Sequence, residues 1–88
     1  MYITDVIKDL TNSKEKLQQL KQEFEYIKPN DQYVLTIERL LIHIGLLLNV
    51  CANSPGSISP ALIDANKAYF KLNIDGLGKV LDAIRKEQ

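Results

Sequence analysis

Residues 3–27 read ITDVIKDLTNSKEKLQQLKQEFEYI, a stretch in which large apolar side chains return at the period of an α-helix. The apolar positions of this stripe are Ile3, Val6, Leu10, Leu17, Leu20, Phe24 and Ile27. Ser13 is the one polar residue in the stripe, which otherwise keeps a single phase from end to end. The pattern predicts one long helix over residues 2–27. Because Thr, Asn and Ser at 11–13 suit a helix cap, two shorter helices are the alternative.

A second helix is predicted over residues 31–52, after the turn that Pro29 introduces. Its apolar residues fall on two roughly opposite sides when plotted at 100° per residue. The first line comprises Tyr33, Ile37, Leu40, Ile44, Leu47 and Cys51, and the second comprises Leu35, Ile42, Leu46 and Val50. A helix that is apolar on two sides must be covered on both. We therefore expect it to be the central helix of a bundle or half of a subunit interface.

Two further helices are predicted in the C-terminal third. Ser59 followed by Pro60 is a typical helix start, and it opens a helix over residues 60–72. The expected core lines are Leu62, Ala65, Tyr69 and Leu72, then Leu77, Val80, Leu81 and Ile84. These two lines differ in phase by one position, which predicts a bend at 73–76 and a short fourth helix over residues 75–86.

No segment alternates with the period of two that half-buried strands show. The sequence therefore predicts an all-α fold, a small antiparallel bundle of about four helices, formed by residues 1–88 as a single domain.

Charge and cysteine content exclude several classes of partner and compartment. The chain has 11 Lys and Arg against 11 Asp and Glu, and the two signs are nearly balanced in each segment, so we expect no nucleic-acid partner. The apolar run from Leu40 to Ala52 is interrupted by polar residues and is shorter than the ~20 residues that cross a bilayer, so no transmembrane segment is predicted. Cys51 is alone and no signal peptide is evident, which favours a cytoplasmic location.

The sequence offers no constellation of catalytic, cofactor-binding or metal-ligating residues. His43 is the only histidine, and the positions three and four residues away hold Arg39, Leu40, Leu46 and Leu47, none of which binds a cation. Cys51 lies on the predicted core line, where a thiol acts as a small apolar group. We therefore expect a non-enzyme without cofactor or metal. An enzyme remains an alternative only if a site forms across subunits.

Apolar residues exceed what one small core easily hides. The surplus comprises Tyr2 and Tyr26 on the first helix, Leu35, Ile42, Leu46 and Val50 on the second, and the pair Tyr69 and Phe70 on the third. Exposed apolar patches with aromatic residues are typical of partner sites. The alternative is that the fourth helix and the N-terminal turn cover them.

The order of segments resembles the immunity proteins that protect producers of pediocin-like bacteriocins. The likeness lies in SPAL at residues 59–62, in AYF at 68–70 and in GLG at 76–78, after a charged and then an apolar helix. The resemblance implies a cytosolic four-helix bundle without enzymatic activity. It also implies that the C-terminal half recognises a bacteriocin bound to its membrane receptor, a sugar transporter. Recognition would lie in residues 59–81, with Tyr69, Phe70 and Lys71 the first to test.

The leading functional prediction is thus a non-enzymatic protein that binds another protein, with bacteriocin immunity as its specific form. The first alternative is a helical adaptor or regulator from a phage or mobile element. That protein would form a homodimer through the second helix.

Overall fold

The computed structural model describes residues 2–27 and 32–87, and nearly all of them are helical. Helix α1 spans Tyr2–Ile27, α2 spans Gln32–Asn53 and α3 spans Pro60–Glu87, with a short 3₁₀ turn at Pro55–Ser57. No strand occurs in either described stretch. The all-α prediction is confirmed, with three helices in place of the four expected.

Helix α1 is the single long helix that the seven-residue spacing predicts. It passes through 11–13 without a break, so the alternative of two helices is wrong. The buried residues of α1 are Val6, Leu10, Leu17, Leu20 and Phe24. Ile3 and Ile27, at the two ends of the stripe, are half-buried and pack against the same core. Continuity of the apolar face therefore outweighs the local capping tendency of Thr, Asn and Ser.

Helix α2 matches its predicted range closely. The predicted start at residue 31 and the turn at 28–31 lie outside the described residues. At the other end, the Ser54 N–H donates to the Val50 carbonyl at 2.8 Å, and Pro55 then opens the 3₁₀ turn. Proline has no N–H to donate and cannot extend the helical ladder, which is why α2 ends here.

Helix α3 begins as Ser59 and Pro60 predict. The Leu62 N–H donates to the Ser59 hydroxyl oxygen at 3.2 Å, and the Ile63 N–H donates to the Ser59 carbonyl at 3.0 Å. Pro60 occupies the first helical position, where a missing N–H leaves no bond unmade.

The predicted bend at 73–76 is absent, so the helices expected over residues 60–72 and 75–86 are one helix, Pro60–Glu87. The buried residues of α3 are Ile63, Phe70, Leu77 and Leu81, rather than the predicted line of Leu62, Ala65, Tyr69 and Leu72. This corrected line runs straight into the last turns, so no change of phase requires a bend. Asn73 is accommodated because its side-chain amide donates to the Tyr69 carbonyl at 2.8 Å, one turn back in the same helix.

The three helices lie side by side in a long, narrow molecule of 47 × 18 × 16 Å. At 1.5 Å per residue they are about 39, 33 and 42 Å long, so α1 and α3 run nearly the full length and α2 is shorter. Helix α1 packs against both other helices, whereas α2 and α3 touch each other little. The central helix is therefore α1. Of the two roles expected for the second helix, that of central helix of the bundle is therefore wrong.

Two ion pairs join α1 to α3. The Lys67 ammonium lies 3.0 Å from an Asp9 carboxylate oxygen, and the Arg85 guanidinium donates to a Glu23 carboxylate oxygen at 2.8 Å. All four side chains are partly exposed, so each pair contributes little stability. Since the pairs are 18 residues apart on α3, they favour the observed alignment of α3 along α1.

Candidate interaction surface

The outward face of α2 carries three large apolar side chains. Leu35, Ile42 and Leu46 are 55%, 65% and 62% exposed. At 100° per residue, Ile42 and Leu46 lie within about 20° of Leu35, so the three form one line, here called the outer α2 stripe. Val50 lies beside this line and is half-buried. A row of exposed leucine and isoleucine on one helix face is typical of a contact surface.

The outer α2 stripe points away from the core because the opposite side of α2 is already buried. The buried residues of α2 are Val34, Ile37, Leu40, Ile44, Leu47 and Cys51. The predicted core line is confirmed except at its first residue. Tyr33 is half-buried and its ring stacks on Phe24 at a centroid distance of 5.4 Å, so Val34 takes the buried place. Helix α2 is thus apolar on two sides, and the helices described cover one of them.

Charge is sparse on α2. Helices α1 and α3 each carry nine Asp, Glu, Lys and Arg residues, whereas α2 carries only Glu38 and Arg39. Both are exposed, and neither forms an ion pair with residues 2–27 or 32–87. A partner that covers α2 would therefore desolvate few charges, which lowers the free-energy cost of association.

A second exposed apolar set lies on α3. Leu62 and Leu72, which the sequence places in the core, are largely exposed, and Tyr69 is 48% exposed. Phe70 is 0% exposed and packs in the core, so its side chain is not available to a partner. Lys71 is exposed. Of the three recognition residues that the resemblance implies, two are therefore on the surface. The spacing of seven between Ile63, Phe70 and Leu77 is the signal that would have identified Phe70 as a core residue.

An aromatic cluster links α2 to α3 where the two helices approach. The His43 ring lies 4.9 Å from Phe70 in an edge-to-face arrangement and 5.9 Å from Tyr69, centroid to centroid. Tyr69 and Phe70 are themselves 5.7 Å apart. Edge-to-face contacts of this kind are favourable because a ring edge is positive and a ring face negative. His43 is thereby part of the α2–α3 packing.

A polar cleft of about 420 Å³ separates parts of α1 and α3. Its lining residues are Asp9, Asn12, Ser13, Lys16, Lys67, Ala68, Lys71, Ile74 and Asp75. Ser13, the polar exception in the apolar stripe of α1, is one of these lining residues. Its charged side chains are two carboxylates and three ammonium groups, so the cleft carries both signs of charge.

The thiol of Cys51 is buried in the core, and loss of hydration raises its pKa above the ordinary value. A thiol with a raised pKa is a poor nucleophile at neutral pH. Among residues 2–27 and 32–87, no three His, Cys, Asp or Glu side chains are grouped so as to hold a metal ion.

No protein-family model, curated protein or solved structure matches the chain. Helix α2 is long and apolar enough to cross a membrane by length and composition alone, a property that core helices of soluble proteins share. In this fold, six of its residues are buried in the bundle, and membrane insertion would remove them from their core contacts.

Proposed function

We propose that this protein acts by binding another protein chain through the outer α2 stripe, and not by catalysis. The observation that carries the proposal is the joint exposure of Leu35, Ile42 and Leu46 on a helix with two charges. Burying one such side chain fully gains ~1.5–3 kcal/mol, so an exposed row of three is a substantial source of binding free energy. Leaving the row exposed would promote aggregation.

A photo-crosslinking residue at Ile42 tests this proposal in the cells that produce the protein. The matched control places the same residue at Gln18, which is exposed on α1. We expect a defined covalent adduct from position 42 and none from position 18. Adding Leu46→Glu to the position-42 variant should abolish the adduct, because a carboxylate there would be desolvated on binding. Equal labelling at the two positions, or none at either, would overturn the proposal.

The resemblance to bacteriocin immunity proteins supplies a second candidate function. The features that favour it are the all-helical fold and the exposure of Tyr69 and of Lys71 on α3. The test is expression in a bacteriocin-sensitive strain, challenged with a panel of pediocin-like toxins. Protection against one toxin that Tyr69→Ala removes would support immunity, since that change leaves the core residue Phe70 in place. Unchanged killing by every toxin would count against it.

A further inference from the structure

We propose that the chain covering the outer α2 stripe is α2 of a second copy, aligned parallel to the first about a twofold axis along the helices. This inference rests on the proposed function, because it identifies the binding partner. In a twofold interface the same surface meets itself, so the surface has to be complementary to its own copy. The described face of α2 meets that requirement in its apolar residues and in its charges.

The apolar residues satisfy this requirement of self-complementarity through their spacing. Leu35, Arg39, Ile42 and Leu46 follow one another at intervals of four, three and four residues, the spacing of core positions in a two-helix coiled coil, so Arg39 is the one polar residue of the row. In a parallel pair in register, each of them lies beside the same residue of the other copy. Gly45, next to this row, has nothing within 4 Å of the position a Cβ would occupy, so a second helix can approach closely there.

The two charged residues of α2 also satisfy the requirement of self-complementarity, because they lie on opposite sides of Leu35. At 100° per residue, Glu38 lies about 60° to one side of Leu35 and Arg39 about 40° to the other. A parallel twofold pair brings the Glu38 side of each copy against the Arg39 side of the other. Arg39 of each copy then lies beside Glu38 of the other, and these two opposite-charge pairs offset the approach of the two Arg39 side chains within the row. An antiparallel pair would bring like sides together.

The overall charge of the chain also suits a second copy. The formal net charge is zero, so two copies do not repel each other at a distance. Helix α2 carries one arginine and no lysine, so it is only weakly attracted to an anionic lipid surface. A helix face with several basic residues would be attracted strongly. A second copy therefore fits this face better than a membrane surface does.

The size of the contact predicts a modest affinity. Helix α2 is about 33 Å long and about 10 Å wide, a footprint well below the ~800 Å² per partner of a stable interface. We therefore expect a dimer whose population depends on concentration, with a dissociation constant in the micromolar to millimolar range.

Sedimentation velocity over a concentration series tests the inference, with single and paired charge reversals on the full chain. We expect Glu38→Arg alone and Arg39→Glu alone each to raise the dissociation constant at least about tenfold, since each replaces two attractive pairs by repulsive ones. The double reversal should return it to within about threefold of the wild-type value, because both pairs re-form. Glu38 and Arg39 are adjacent in one helix and do not face each other, so the reversals disturb no ion pair within the helix. Circular dichroism should therefore show the same helix content in every variant.

Glu15→Arg on α1 is the matched control. It changes the net charge as Glu38→Arg does, from an exposed position away from α2, and should leave the dissociation constant unchanged. A wild-type chain that stays monomeric, a dimer indifferent to the single reversals, or a double reversal that does not restore dimerisation would each overturn the inference. An adduct from position 42 with a different protein, from a chain that stays monomeric, would leave the proposed function standing and remove the second copy.

Discussion

Replacing Phe70 by alanine should remove a large part of the protein's free energy of unfolding, whereas replacing its neighbour Tyr69 by alanine should remove little. Phe70 is fully buried between the helices, against His43 of α2. Phe→Ala at a buried position costs ~3–5 kcal/mol through lost burial and the cavity left behind. A domain of 88 residues has a total stability of ~4–13 kcal/mol, so this loss is a large part of the whole.

Tyr69 is half-exposed, and its ring touches the same cluster from outside. We expect Tyr69→Ala to cost only ~1–1.5 kcal/mol, from partial burial and the ring contacts. Urea denaturation followed by circular dichroism measures both values. At roughly 4–8 °C per kcal/mol, the melting temperature should fall by ~12–40 °C for Phe70→Ala and by under ~12 °C for Tyr69→Ala. A Tyr69→Ala loss equal to or above that of Phe70→Ala would refute the orientation of α3 described above.

Four further outcomes concern three positions in the chain. Gly76→Ala should raise stability by ~0.5–1 kcal/mol in urea melts, because Gly76 lies inside a continuous helix with open space at its Cβ position; a loss of stability would indicate a bend there. Ser13→Ala should raise it by up to ~0.7 kcal/mol through helix propensity, and a fall would show that the Ser13 hydroxyl stabilises the cleft. Cys51 should react with a thiol reagent only as fast as the chain unfolds, and rapid labelling of the folded protein would contradict its burial. Burial raises the pKa of Cys51, so the neutral thiol stabilises the folded state at pH values below the unfolded-state pKa. This contribution is lost as the pH rises through the folded-state pKa. The wild type should therefore lose more stability at alkaline pH than Cys51→Ala.

The helices α1 and α2 were predictable because each has one apolar line that keeps its phase over its whole length. In α1 no competing line exists, so the stripe from Ile3 to Ile27 decides both the extent and the buried face. In α2 the core line was identified from spacing, apart from the exchange of Tyr33 for Val34 at its start. Long periodic segments average out local capping and propensity effects.

The extent and the buried face of helix α3 were harder to predict, because apolar residues occur there as adjacent pairs. Leu62 stands beside Ile63, and Tyr69 beside Phe70, so short windows fit two faces about 100° apart. Choosing the face with Leu62 and Tyr69 creates a false change of phase before Leu77, and a bend is then predicted. Only the whole run of 28 residues separates the two choices.

The residues of the candidate surface could be predicted from the sequence, but their exposure to solvent could not. The spacing shows that Leu35, Ile42 and Leu46 form a second apolar line on α2. Whether that line is buried depends on which helices pack around α2, and this is a tertiary property that local periodicity does not contain. The absence of a bend in α3 decides it, because an unbroken α3 supplies no separate fourth helix to cover the line.

The arrangement of two α2 helices is tested most directly by the distance between one labelled position and its copy in the dimer. A nitroxide at Asn53, at the end of α2, can be introduced as Asn53→Cys with Cys51→Ala, and pulsed electron resonance then measures the separation. Parallel pairing places the two Asn53 backbones about one helix spacing apart, ~8–10 Å before the reach of the labels is added. Antiparallel pairing centred on Ile42 would place them about 33 Å apart along the axis. A short distance is the predicted result. A long distance, or no inter-copy signal at concentrations where dimers form, would contradict parallel pairing through the outer α2 stripe.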